Sequence, residues 1–110
     1  MKVDILGTIY TVTEATPDED KYLIECDGYC DKTSKKIVIA AKDERCELDD
    51  FIVYQKKVKR HEIIHAFLIE SGIQENYKNN ERGHDEIMID WFAIQFPKIQ
   101  KAFYEADCLV

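Results

Sequence analysis

The sequence Arg60-His61-Glu62-Ile63-Ile64-His65-Ala66-Phe67-Leu68-Ile69-Glu70-Ser71-Gly72 contains two histidines and a glutamate within a largely apolar run. On an α-helix, residues four positions apart lie on one face, so the rings of His61 and His65 can both reach one metal ion. Glu62 would lie beside that ion, and Gly72 is typical of the residue that follows a helix end. This His-Glu-x-x-His spacing predicts a helix with the geometry of a zinc-hydrolase site.

A longer helix is predicted around this motif. From about Leu48, residues of one face recur at intervals of three or four, namely Phe51, Tyr54, Val58, His61, His65 and Leu68. Asp49 or Asp50 can cap its start, because a short carboxylate accepts hydrogen bonds from the first N–H groups of a helix. We therefore expect one helix that ends near Ser71-Gly72, with the two histidines in its second half and on the face continuous with the core.

A second helix is predicted from His84 or Asp85 towards Glu105. Its apolar positions recur at helical spacing, at Ile87, Trp91, Ile94 and Ile99. Pro97 should kink or interrupt this helix, because proline lacks the N–H that the helical ladder needs. The pair Trp91-Phe92 indicates that the first half of the helix packs inward.

A third metal ligand is expected at the start of this second helix, because catalytic zinc usually takes three protein ligands and leaves one position for water. Glu86 and Asp90 share one helix face, so Glu86 can bind the ion while Asp90 accepts a hydrogen bond from a ligand imidazole. His84 is the alternative third ligand, since imidazole binds zinc well, and we favour Glu86. The tetrahedral oxyanion would need a further donor, for which Tyr77, Arg82 and His84 are the candidates.

The first forty residues predict a small β-sheet. Residues 2–13 are rich in β-branched and aromatic types and predict one bent strand or a tight hairpin around Gly7. Residues 22–26 could add a short strand. Residues 27–40 predict a hairpin, and residues 37–40, if they form a sheet edge, could pair with an extended peptide. The whole pattern predicts an α+β fold, with a small antiparallel β-sheet packed against two or three helices.

The length of 110 residues predicts a single domain, residues 1–110. The net charge of −7 repels polyanions, which makes nucleic acid an unlikely partner. The one basic cluster, Lys56-Lys57-Val58-Lys59-Arg60, is interpreted as a solvated helix face that counters Glu47, Asp49 and Asp50. A basic rim beside a substrate groove is the alternative interpretation.

The four cysteines, Cys26, Cys30, Cys46 and Cys108, could in principle form two disulfides. The first residues nevertheless contain no apolar leader segment, and no stretch approaches the length of a membrane span. We therefore expect a cytoplasmic protein without a membrane partner, in which the cysteines are reduced and act as small apolar groups.

The pattern His61-Glu62-x-x-His65 followed by Glu86-x-x-x-Asp90-Trp91-Phe92-Ala93 resembles the ImmA/IrrE-like zinc metallopeptidases of the gluzincin group, in particular their short members from phages and mobile elements. The resemblance covers about residues 28–97. It implies a zincin-like minimal metallopeptidase domain in which His61, His65 and Glu86 bind Zn²⁺, Glu62 is the general base and Asp90 orients a ligand histidine. Members of the ImmA type cleave regulatory proteins such as repressors of mobile elements.

Three functions are compatible with these residues. The first is a zinc-dependent peptidase acting on a protein or peptide substrate, in which Glu62 takes a proton from a zinc-activated water and delivers it to the leaving amine. The second is a non-catalytic interaction module of a phage or mobile element, in which four protein ligands, for example both His84 and Glu86, close the zinc site. The third is a SprT-like, DNA-associated protease with His84 as its third ligand.

Overall fold

The computed structural model describes residues 1–44, 46–76 and 85–109. Within these ranges the strands are β1 (Lys2–Ile5), β2 (Thr8–Ala15), β3 (Gly28–Asp31) and β4 (Lys36–Ala40), and a 3-10 helix (Lys21–Ile24) precedes β3. The α-helices are α1 (Phe51–Glu70), α2 (Ile73–Asn76) and α3 (Glu86–Glu105). Helix α1 packs on the sheet and α3 packs on α1. The predicted α+β class is confirmed.

The sheet is mixed, with the strand order β1-β2-β4-β3. Strands β1 and β2 are antiparallel, as are β3 and β4, whereas β2 and β4 are parallel, with Val12 opposite Ile37. The prediction of an antiparallel sheet is therefore wrong for the central pair. The chain leaves β2, passes through the 3-10 helix and β3, and returns in β4 alongside β2. As a result residues 37–40 lie inside the sheet, and the edge strands are β1 and β3.

Two hairpins are present: of the two alternatives for residues 2–13 the tight hairpin is correct, and the hairpin predicted at residues 27–40 is confirmed. The first turns at Leu6 and Gly7, whose φ angles are 52° and 91°, and the Gly7 N–H donates to Asp4 Oδ1 at 2.7 Å. The positive φ angles favour glycine at this turn. In the second hairpin, the Asp31 carboxylate accepts hydrogen bonds from both Thr33 and Ser34. The prediction of a strand at residues 22–26 is wrong, because this segment contains a 3-10 helix that Asp20 caps.

The core lies between one face of the sheet and α1. The sheet contributes the buried side chains of Ile5, Tyr10, Val12, Ile37 and Ile39. Helix α1 contributes Val58 and Ala66, and Glu62 lies between them on the same buried stripe. The buried face of α1 is therefore rotated relative to the predicted one. Val58, Glu62 and Ala66 form its centre, and the two histidines lie at its edge.

Helix α1 begins and ends where the sequence predicts. Asp50 caps its start by accepting from the Val53 N–H at 3.2 Å, and Gly72 follows its end with a φ angle of 83°. At its last residue, Glu70 Oε1 accepts from Tyr10 Oη at 2.6 Å and from Lys35 Nζ at 2.7 Å. Glu70 therefore ties the end of the helix to both hairpins.

Of the predicted kink or interruption at Pro97, the interruption is wrong, because α3 continues through Pro97. In a regular helix, the N–H of residue 97 would donate to the Ala93 carbonyl, and proline has no N–H to give. Instead, Arg60 Nε of α1 donates to the Ala93 carbonyl at 2.5 Å. The acceptor that the proline leaves unused thus becomes a contact between the two long helices.

The inward packing predicted for Trp91 and Phe92 is also wrong. Trp91 is 51% exposed and Phe92 is 36% exposed, whereas Ile89 and Ala93 are the buried residues of α3.

Even with these exposed apolar side chains, α3 lacks the length of apolar sequence that a membrane crossing requires, and the same holds for the other helices in the described part of the chain.

Replacing Arg60 with alanine removes the donor to the Ala93 carbonyl. We expect Arg60→Ala to lower the free energy of unfolding by about 1–3 kcal/mol, the cost of an unsatisfied buried acceptor, measured by urea unfolding. Pro97→Ala is the matched variant, because alanine restores an N–H that can donate to the same carbonyl. Arg60→Ala should therefore cost clearly less in the Pro97→Ala background. Equal costs in the two backgrounds would contradict this explanation.

The contacts of Glu70 predict a loss of stability in acid. The hydrogen bonds from Lys35 and Tyr10 lower the pKa of Glu70 in the folded chain. The ionised carboxylate therefore stabilises the fold above the unfolded pKa of about 4.3, and this contribution is lost as the pH falls through the lower folded pKa. Urea unfolding should find Glu70→Gln less stable than wild type near neutral pH, with the difference shrinking in acid. A difference that stays constant with pH would argue against this role.

Candidate metal centre

Two imidazoles of α1 and a carboxylate of α3 converge at one point. His61 Nε2 lies 3.1 Å from His65 Nε2 and 3.1 Å from Glu86 Oε2, and His65 Nε2 lies 3.0 Å from Glu86 Oε1. A tetrahedral zinc ion with bonds of about 2.0–2.1 Å places neighbouring ligand atoms about 3.3 Å apart. The three side chains therefore fit a divalent cation of this size.

The hydrogen bond between His61 and Asp90 determines which nitrogen of the His61 ring faces the Glu86 carboxylate. Asp90 Oδ1 is 3.3 Å from His61 Nδ1, and an ionised carboxylate can only accept, so we assign the ring proton to Nδ1. In the neutral ring, Nε2 then directs a lone pair at Glu86. Two acceptors 3.1 Å apart repel one another unless positive charge lies between them. A metal ion or additional protons would supply that charge.

Glu62 is the one charged side chain in the described ranges that is classed as buried. Burial raises the pKa of Glu62 to about 7; His61 acts in the opposite direction, and Glu86 adds to the increase. A carboxylate with a pKa near neutrality can accept and then return a proton at physiological pH. Its position on the buried stripe of α1 thus supplies the property that a general base needs.

The candidate ligands line a cleft of about 570 Å³. Strand β3 and the residues just before it form the opposite wall, with Cys26, Gly28 and Cys30 among the lining residues. A Cβ atom at Gly28 would lie 2.9 Å from Val58 Cγ1, so glycine is needed where β3 approaches α1 most closely. Gly28 is predicted from the sequence only as part of a hairpin, because the approach of a helix to a strand has no local sequence signal.

Lys57 is a site residue that the sequence analysis missed. Its Nζ lies 3.1 Å from Asp90 Oδ1 and 5.1 Å from the centre of the Tyr54 ring. Lys57, followed by His61, lowers the pKa of Asp90, which keeps that carboxylate an acceptor. The interpretation of the basic cluster as a solvated face is therefore wrong for Lys57 and Arg60, which contact α3. The sequence signal that could have identified Lys57 is its position four residues before His61, which places both side chains on one face of the helix.

The structure brings the predicted ligands His61, His65 and Glu86 into contact with one another. Asp90 contacts His61, and Glu62 lines the same cleft. His84, Tyr77 and Arg82 lie outside the described residues. Their predicted roles as alternative ligand or oxyanion donors therefore stay predictions.

Comparisons of the chain with protein-family models, with curated proteins and with solved structures find no match. The resemblance to ImmA/IrrE-like metallopeptidases therefore stays a prediction that rests on the quoted motif. The metal-site interpretation rests on the positions of His61, His65 and Glu86 in this chain.

These contacts predict cation binding that can be measured without any activity assay. Calorimetric titration with Zn²⁺ should find one ion per chain, and His65→Ala and Glu86→Ala should each remove this binding. Asp90→Asn should weaken it about 10–100-fold, because the amide no longer orients His61 in the same way. Asp49→Asn, on the loop before α1, is the control and should bind as wild type does. Unchanged affinity in Glu86→Ala would exclude Glu86 as a ligand.

Proposed function

We propose that this chain is a zinc-dependent peptidase that hydrolyses a peptide bond in a protein or peptide substrate. The observation that carries the proposal is the convergence of two imidazole nitrogens and one carboxylate beside the buried Glu62, in a cleft large enough for a peptide. Structural zinc has four protein ligands, whereas catalytic zinc keeps one position for water. A site made by His61, His65 and Glu86 alone would be of the catalytic type, and His84, the candidate fourth ligand, lies outside the described residues.

Each residue of the site has a role in this reaction. Zn²⁺, when bound, would activate a water and polarise the scissile carbonyl. Glu62 accepts a proton from the attacking water and later gives it to the leaving amine, because its carboxyl group lines the same cleft as the three candidate ligands. Asp90 holds the His61 ring by its Nδ1–H, so that Nε2 faces Glu86, and Lys57 holds Asp90 in turn.

The edge strand β3 is the proposed binding surface for the substrate backbone. The Ala40 N–H donates to the Asp27 carbonyl at 2.8 Å, which makes these two residues a hydrogen-bonded pair. In an antiparallel ladder such pairs alternate, so the N–H and C=O groups of Gly28 and Cys30 face away from β4. An extended peptide can add to such an edge by main-chain hydrogen bonds and would then pass the metal ligands.

The alternative functions differ in their ligand sets. A zinc-stabilised interaction module needs a fourth protein ligand, and a SprT-like, DNA-associated protease needs His84 in place of Glu86. The contact of Glu86 with both histidines and the net charge of −7 favour the peptidase with Glu86 as ligand. A regulatory protein of a mobile element is a substrate proposed from the family resemblance alone. A cytoplasmic location is supported by the four free cysteines.

Glu62→Gln separates catalysis from metal binding. The variant should keep one Zn²⁺ per chain and lose at least about 100-fold in cleavage rate, because the amide cannot accept the water proton. Cleavage is measured by mass spectrometry, as new amino termini in a mixture of peptides incubated with zinc-loaded protein. Lys56→Gln, at an exposed position of α1, is the control and should cleave as wild type does. No new termini with zinc-loaded wild type, or an unchanged rate in Glu62→Gln, would refute the proposal.

A further inference from the structure

A second cavity, which we call the flanking pocket, lies next to the metal cleft and has a volume of about 480 Å³. The 3-10 helix, the segment that follows β4 and the first turn of α1 enclose it. Most of its lining is apolar or aromatic, with Leu23, Ile24, Ala40, Leu48, Phe51 and Tyr54 as the principal residues. None of these aliphatic residues or Phe51 takes part in the proposed catalysis.

The flanking pocket adjoins the metal cleft, because two residues line both cavities. Tyr54 and Asp27 line both cavities, and the Tyr54 hydroxyl donates to the Asp27 carboxylate. Asp27 also comes directly before Gly28, the first residue of the edge strand. A peptide that pairs with β3 beside the metal ligands therefore reaches the flanking pocket at the end of the strand where Gly28 lies.

The lining of the flanking pocket selects for one kind of side chain. Ile24 is 68% exposed and Leu48 is 47% exposed, so an incoming apolar group would remove apolar surface from water. The described residues of the lining include three carboxylates, those of Asp27, Asp43 and Glu47. An acidic side chain would therefore meet like charges. Asp27 already accepts from Tyr54, which leaves the aliphatic wall as the main contact surface.

We propose that the flanking pocket binds a large aliphatic or aromatic side chain of the same peptide that the metal site would cleave, and so determines substrate specificity. This inference rests on the proposed peptidase function. It assigns the residues near the 3-10 helix and the loop before α1 to substrate selection, and it predicts a preference for an apolar residue at one fixed distance from the cleaved bond.

Photo-crosslinking tests the position of this side chain without any need for cleavage. The probes are short fluorescent serine-alanine peptides with a single p-benzoylphenylalanine moved through each position, incubated with the zinc-loaded Glu62→Gln variant. The expected result is crosslinking to Leu23, Ile24 or Leu48 from one position, identified by mass spectrometry. Crosslinks that map instead to the exposed face of α3, at Ile87 or Trp91, or no crosslinking at all, would overturn the inference.

Affinity measurements test the chemistry of the flanking pocket. In the same Glu62→Gln background, Leu48→Ser or Ile24→Ser should bind the best phenylalanine-containing peptide about tenfold more weakly, because apolar contact area is lost. Ile52→Ser is the matched control, since Ile52 is 57% exposed on α1 and lies outside the lining. Equal losses in all three variants, or tighter binding of the arginine or aspartate version of the peptide, would overturn the inference.

The two proposals fail separately. If wild type cleaves peptides without a preference for an apolar residue, the peptidase function stands and the specificity pocket does not. If crosslinks map to Leu23, Ile24 or Leu48 but zinc-loaded wild type releases no new amino termini, the flanking pocket is a peptide-binding site of a chain that lacks the proposed activity.

Discussion

The packing of α1 across the sheet is the constraint on which the remainder of the structure depends. Val58 and Ala66 anchor the helix against the sheet core, and Glu62 lies between them on the same stripe. This rotation of the helix has two consequences for the site. It buries the carboxylate that would act as a base, and it turns His61 and His65 sideways towards α3. The packing of α1 on the sheet therefore determines both the pKa of Glu62 and the direction in which the two imidazoles point.

Helix α3 is held in place by polar contacts, since few of its residues are buried. Arg60 donates to the carbonyl that Pro97 leaves without a partner, and Lys57 pairs with Asp90. Both basic residues precede His61, by one and four positions, so the same turn of α1 presents a candidate metal ligand and contacts the helix that carries Glu86. A small chain with a modest core thereby joins the two halves of the candidate metal site. The arrangement relates the fold directly to the proposed chemistry.

The sequence predicted those features that have a local cause. Asp50 and Gly72 mark the ends of α1, and the spacing of the two histidines follows from the helical repeat. The parallel pairing of β2 with β4 was missed, because the order of strands in a sheet depends on contacts between distant segments. The orientation of α3 was missed as well. Apolar residues occur on several of its sides, so periodicity does not select the buried face, and the donor to Ala93 lies on another helix.

The central claim is an open metal site made by His61, His65 and Glu86, and a crystal structure of the zinc-loaded chain with anomalous diffraction at the zinc edge tests it most directly. The account predicts one anomalous peak, bonded to both Nε2 atoms and to the Glu86 carboxylate, with a water at the fourth position facing the cleft and Glu62 beside it. A peak elsewhere, or a fourth protein ligand in place of the water, would contradict it.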